Sequence, residues 1–236
     1  MSLGTEFLQA LSTGFSSKDS SGCEKFITDD FELITTFRTM SRQEFLDWAA
    51  SGGSPTTISD IEPIYENDEV AVIYHNVDTR DLEGNARPGK LMCCGSKRDG
   101  KFYVWRVARQ GDKTSAVSLK ICGLIGGILM VSVSEVFKTW NEGFANKDSS
   151  KLAEFFTDDF RFVSRLRDMD KQETLDWTAA GGNPTVLDDL EVLYENDDVA
   201  VVHHTTPSLG ANGLIMALYT KRDGKFSQVR LVRQEV

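Results

Sequence analysis

All three histidines of this chain fall at one point of a repeated pattern. His75 follows Tyr74 in EVAVIYHNV, and His204 follows His203 in DVAVVHHT. An imidazole ordinarily changes charge near neutral pH. Tyr74, His75, His203 and His204 are residue types that can give or accept a proton. Neighbours on a strand point to opposite faces, so only one of each pair can face a pocket. The residues leave open which one.

A second candidate is a pair of arginines, Arg106 in FYVWRVAR and Arg230 in FSQVRLVR. Alternation puts Arg106 on the face of Phe102 and Val104, and Arg230 on that of Phe226 and Gln228. A guanidinium on such a face can receive a substrate carboxylate or enolate. It can equally pair with Asp47 or Asp176. Other chemistries find little support. His203-His204 has no metal-ligand spacing, so no metal is expected. GGSP lacks the G-x-S-x-G elbow, and Asn183 replaces Ser54 in its second occurrence. No G-x-G-x-x-G or phosphate-binding loop is present, so no cofactor is expected.

These residues must be positioned by a repeated helix. SRQEFLDWAASGGSP (Ser41 to Pro55) returns as DKQETLDWTAAGGNP (Asp170 to Pro184). Ser41 with Glu44, and Asp170 with Glu173, form capping boxes. Phe45, Trp48 and Ala49 make one apolar stripe. Gly52 and Gly53, then Pro55, end the helix. Trp48 and Trp177 are expected to pack in the core or to wall a pocket. Asp47 and Asp176 lie beside that stripe.

The repeat runs through the whole chain. Roughly half the positions of 6–76 match those of 135–205 without a gap. The 236 residues thus read as a first copy at 1–110, a connector at 111–129 and a second copy at 130–236. Either copy is large enough to hold its own core. Each copy predicts helices at 6–16 and 21–27, a turn at 28–30 and a strand at 31–37. The capped helix follows, then strands at 58–66, 69–77, 90–97 and 102–109, with a loop at 79–89. The strand at 69–77 is apolar on both faces and so should be covered on both. The connector ends in ICGLIGGIL, too short to span a bilayer. It is expected to pack at the domain junction, with Met130 a relic start codon.

Composition narrows the partners. The net charge of −10 argues against nucleic acid and against anionic membrane surfaces. Cys23, Cys93, Cys94 and Cys122 have no counterparts in the second copy, so reduced thiols and a cytoplasmic protein are expected. MSLGTEFLQ has neither the basic nor the apolar region of a secretory signal.

Each copy has GF-x-x-KD closing its first helix, TDDF, the capped helix, the ENDEVAV or ENDDVAV hairpin and an RDGKF…R…R ending. With these the chain resembles the SnoaL-like branch of the nuclear transport factor 2-like superfamily. The resemblance covers both copies but not the connector. It implies an α+β fold of tandem cone-shaped domains, each a curved antiparallel (mixed) sheet wrapped around about three helices, with a pocket at the wide end. It also implies internal domain–domain pairing, an intramolecular pseudo-dimer. Isomerases, dehydratases and cyclases occur in the superfamily, which implies acid–base chemistry on a small apolar ligand. The alternative is a non-catalytic ligand-binding or assembly module.

Overall fold

The protein is seen here in a computed structural model that describes residues 2–35, 38–52, 56–80, 86–110, 131–181, 187–208 and 211–235. The chain divides into two compact units, Met1–Gly111 and Asp112–Val236. The connector, Met130, Gly53 and Pro55 lie outside the described residues. No helix among those residues is long and apolar enough to cross a membrane.

In the first unit, α1 (Leu3–Ser17) starts where Ser2 accepts a hydrogen bond from the Thr5 N–H, and it buries Phe7, Leu8, Leu11 and Phe15. A short α2 (Ser21–Glu24) leads into β1 (Ile27–Thr35) and β2 (Thr39–Ser41). Then come α3 (Arg42–Ala50), β3 (Thr57–Glu66), β4 (Val70–Arg80), β5 (Ala86–Arg98) and β6 (Lys101–Gln110). The sheet order is β2-β1-β6-β5-β4-β3, and β1 with β6 is its parallel pair. The capping box of α3 forms as the sequence predicts, with the Ser41 N–H donating to Glu44 at 2.8 Å. Gly52 takes the left-handed conformation beyond it, at φ 91.

The second unit repeats the plan. After α4 (Val133–Asn146) a 3₁₀ turn at Leu152–Phe155 stands in for α2. β7 (Phe156–Val163), β8 (Asp168–Asp170), α5 (Lys171–Ala179), β9 (Asp188–Glu195), β10 (Val199–Ser208), β11 (Ala211–Arg222) and β12 (Lys225–Glu235) follow. The order β8-β7-β12-β11-β10-β9 matches the first sheet. The chain is thus α+β, with a mixed sheet in each unit.

Three local expectations change. Residues 28–30 are strand rather than turn, because parallel pairing of Ile27 with Phe102 draws them in and a register shift before Glu32 exposes Asp29 and Asp30. The same pairing ends α2 before Ile27. Of the expected loop at 79–89, residues 79–80 and 86–89 are strand, since Thr79 pairs with Arg87 and donates to its carbonyl, and 81–85 lie outside the described residues. Among the described residues the β5–β6 pairing begins only at Lys90, so none of its described pairs asks Pro88 for an N–H.

On β4, Ala71 and Ile73 face α1: a Cβ on Gly4 would meet both side chains. The other face carries Val70 and Val72, with Met92 and Cys94 beside them on β5. On the helix side the packing is aromatic. The Phe7 ring lies 4.9 Å from that of Trp105, and Phe31 lies 5.1 Å from Phe45. In the second unit Trp140, Phe156, Phe160 and Phe162 do the same work.

The two cores fill their centres by opposite choices. Gly95 and Trp105 are cross-strand partners, and so are Tyr219 and Val229 at the equivalent places. One copy puts its large ring on the last strand, the other on the strand before. The space beside Gly95 is already taken, because a Cβ there would stand 2.4 Å from the Trp105 ring. The difference between Trp105 and Val229 is thus a compensated packing change.

A repeated ion pair anchors each first helix. Glu66, at the end of β3, accepts from the Leu3 N–H at 3.0 Å and from Lys97 at 2.9 Å. Glu195 does the same with the Val133 N–H at 2.8 Å and Lys221 at 2.7 Å. A carboxylate at a helix N-terminus also meets the positive end of the helix dipole.

Candidate functional site

The fold settles which faces the candidate residues occupy. His75 shares the helix side of β4 with Ala71 and Ile73, and His204 shares that of β10 with Ala200 and Val202. Tyr74 and His203 are therefore on the other face. His203 has Glu191 3.9 Å away there.

Both interior histidines are buried among packed side chains. Both are only 3% exposed. His75 Nε2 lies 3.4 Å from Cys93 Sγ, and His204 meets the edge of the Phe137 ring at 4.8 Å. Burial lowers each imidazole to a pKa of about 4, against one backbone hydrogen bond that works the other way. Burial likewise pushes the Cys93 thiol up to about 12. The His75–Cys93 pair is therefore neutral and packed, not a thiolate–imidazolium nucleophile.

The arginine reading needs a larger correction. A register shift between Ser96 and Lys97 inserts Tyr103 as an extra residue in β6. Alternation breaks there: Phe102, Trp105 and Val107 are on the helix side, while Val104 and Arg106 are on the other. Arg230 follows the same rule, through a shift between Thr220 and Lys221. Arg106 and Arg230 thus face away from α3 and α5, and the proposed pairs with Asp47 and Asp176 do not form. Asp47 and Asp176 are exposed and accept from Gln43 and Gln172, each at 2.8 Å.

The helix-side arginine is instead Arg109, in register with Leu91 and, beyond it, His75. Its guanidinium lies over Gly89, where a Cβ would stand 2.8 Å from Nε. It donates to Thr79 Oγ1 at 3.1 Å and to the Arg87 carbonyl. Arg233 is its counterpart. The motif RDGKF…R…R held this residue in plain view, but only knowledge of the bulge selects the second arginine.

Trp48 and Trp177 are half-buried packing residues. Trp48 meets Phe15 edge-on at 4.8 Å, with Arg38 over its ring. Trp177 meets Phe144 at 5.0 Å, with Arg167 over its ring.

Among the described residues of the first unit, one cleft lies away from these side chains. A cleft of about 270 Å³ is walled by Phe15, Ser16, Gly52, Thr56, Thr57, Asp78 and Arg80. It lies where α1 and α3 end, against the start of β3 and the end of β4. None of its residues was singled out from the sequence as a site candidate. The second copy changes several of them in sequence: Ala145 stands for Ser16, Val186 for Thr57, Pro207 for Asp78 and Leu209 for Arg80.

No family model and no curated protein matches the chain. Solved structures do. An NTF2-like protein from Anabaena variabilis is 14% identical, with a TM-score of 0.39, over 47% of this chain and 88% of its own. A protein from Catenulispora acidiphila with a ketosteroid isomerase-like fold, in complex with trimethylamine, is 11% identical, with a TM-score of 0.38, over 44% and 84%. TerC, co-crystallized with polyporic acid, is 18% identical, with a TM-score of 0.38, over 45% and 91%. Each covers less than half of this chain, about the length of one copy.

Proposed function

We propose that the protein binds a small molecule, and that the cleft of the first copy is where it does so. The observation that carries this reading is the contrast between cleft and interior. The cleft brings an aromatic ring, three hydroxyls, a carboxylate and a guanidinium around one open space. Binding sites of this kind join apolar wall to a few polar groups. The interior holds neutral, packed histidines. Acid–base catalysis of the isomerase, dehydratase or cyclase type would then fall to Asp78 rather than to His75 or His204. Pure ligand binding needs only the cleft. Among the described residues Cys23, Cys93 and Cys94 form no disulfide, which supports the reading of a cytoplasmic protein.

A thermal-shift screen of small aromatic and alicyclic fragments tests the reading on three full-length proteins. Thr57→Trp obstructs the cleft, while His75→Phe alters the interior and leaves the cleft intact. Fragments that raise Tm by a few degrees in wild type and His75→Phe, and fail in Thr57→Trp, are expected. Hits that survive Thr57→Trp but vanish in His75→Phe would move the site to the interior.

A further inference from the structure

Charge in and around the cleft is balanced. At the end of α1, Lys18 is followed by Asp19, whose carboxylate accepts from the Ser21 N–H at 2.9 Å. Arg80 and Arg87 flank Asp81 and Glu83 in sequence. Asp78 and Arg80 are both in the wall, and Arg109 donates to Thr79 between them. Arg80, Arg87 and Arg109 already have partners. Acidic and basic groups are thus equal in number here, and the local field as a whole favours neither sign of ligand charge.

Two charged groups stand apart from that set. Among the described residues, no hydrogen bond or ion pair takes up the side chain of Lys18 or of Asp78. Lys18 closes α1 in the left-handed conformation, at φ 57, a region that residues with a Cβ seldom adopt. Its stem lies along Gly52, with Cγ and Cε each 3.8 Å from where a Gly52 Cβ would stand. The ammonium is one bond beyond Cε, beside a residue that walls the cleft. The stem contact recurs in the second copy, with Lys147 at φ 54 on Gly181, and so belongs to the fold. The carboxylate does not recur, because Pro207 stands for Asp78. An unpaired ammonium and an unpaired carboxylate at one opening are therefore a feature of the first copy.

We propose that the cleft takes a small zwitterion, a free amino acid with an apolar side chain. This inference rests on the cleft being the binding site. The ligand carboxylate goes to Lys18 and its ammonium to Asp78. Each unpaired group then gains the charge it lacks, while the net charge at the cleft stays unchanged. A ligand with only one of the two charges satisfies one group and leaves the other unpaired. The Phe15 ring supplies an apolar wall for the side chain, and the hydroxyls of Thr56 and Thr57 can donate to or accept from the polar end. The volume of about 270 Å³ lies at the small end of the range for ligand sites, which suits a single amino acid. The second copy, with Pro207 in place of Asp78, should not bind the same probe.

Calorimetric titration of the full-length chain with L-phenylalanine and its three blocked forms tests the class. N-acetylphenylalanine keeps the carboxylate, phenylalanine amide keeps the ammonium, and N-acetylphenylalanine amide has neither. Phenylalanine is expected to bind at one site per chain, roughly fivefold or more tightly than either singly blocked form, the size of a good exposed ion pair. The doubly blocked form should be the weakest. Lys18→Met keeps a stem on Gly52 and removes the charge, so it should bring phenylalanine down to the level of phenylalanine amide and leave the amide itself unchanged. Asp78→Asn should bring phenylalanine down to the level of N-acetylphenylalanine and leave that probe unchanged. A blocked form that binds as tightly as phenylalanine, and that Thr57→Trp abolishes, would overturn the zwitterion and keep the cleft as the site. No binding of phenylalanine would overturn the class whatever the fragment screen shows. Phenylalanine binding that Thr57→Trp does not disturb would remove the cleft and the zwitterion together.

Discussion

Placing tyrosine at Gly95 should unfold the first unit, and placing valine at Trp105 in the same chain should rescue it. A Cβ at Gly95 would meet Trp105 Cε3 at 2.4 Å and Phe102 Cδ1 at 2.7 Å. Neither ring can retreat, since Trp105 is 2% exposed and Phe102 is fully buried. Gly95→Tyr alone therefore overpacks a full core and should cost more than the usual ~3 kcal/mol for such changes. Trp105→Val alone leaves a cavity, at about 3–5 kcal/mol by analogy with Trp→Ala. The double variant reproduces the Tyr219–Val229 arrangement, in which Tyr219 lies 5.3 Å from Phe226. Chemical denaturation of the four proteins closes a double-mutant cycle. A coupling energy of about 2 kcal/mol or more in favour of the double variant is expected. Simple additivity would mean that the two copies do not share a common core plan.

The second large effect is expected at the helix anchor. Lys97 and Glu66 have side chains only 6% and 17% exposed. Removing one partner of such a pair strands the other charge, at about 3 kcal/mol or more. Lys97→Met should therefore lower stability at pH 7 by that order, and Lys97→Met with Glu66→Gln should lower it less. The pH dependence gives a second readout. Burial works to raise the Glu66 carboxyl, but Lys97 and the N–H groups at the start of α1 outweigh it and hold it below the usual range. Its stabilising contribution is thus present above the unfolded carboxyl pKa of about 4.3 and is lost as pH falls through the lower folded value. In Lys97→Met burial prevails, so protonation of Glu66 at low pH relieves the damage. The gap between wild type and variant should narrow below about pH 4. A gap that stays constant with pH would contradict the buried-pair account. The equivalent pair, Lys221 with Glu195, should behave alike.

How much of this was legible in sequence depends on the range of the interaction. The repeat, the capping boxes and the ENDEVAV hairpin rest on residues a few positions apart, and all appear as expected. So does the two-sided apolar strand at β4. What escaped were the long-range pairings. The parallel pairing of β1 with β6 carries no local signal, and it turned an expected turn into strand. The bulge at Tyr103 is a single inserted residue, yet it moved Arg106 to the wrong face and hid Arg109. The exchange of Gly95 and Trp105 for Tyr219 and Val229 has no local signal either, and only the strand register makes the four residues two cross-strand pairs. Glu66 and Lys97 are 31 positions apart, and nothing in either segment names the other. The cleft is assembled from four segments, each of ordinary composition.

The central question is whether the interior histidines are packed core groups. The measurement that asks this most directly is an NMR titration of the histidine rings in the full-length chain, from pH 8 downward. His75 and His204 are expected to stay neutral until about pH 4. Because the folded values lie below the unfolded 6.5, the unfolded chain binds the proton first. Stability is thus complete above about pH 6.5 and is lost as pH falls toward 4, by roughly 3 kcal/mol for each histidine. If His75 or His204 titrates instead near its ordinary value, with no loss of fold, that ring reaches solvent. The interior would then be an open pocket with a working acid–base group, and the cleft would lose its claim to be the site.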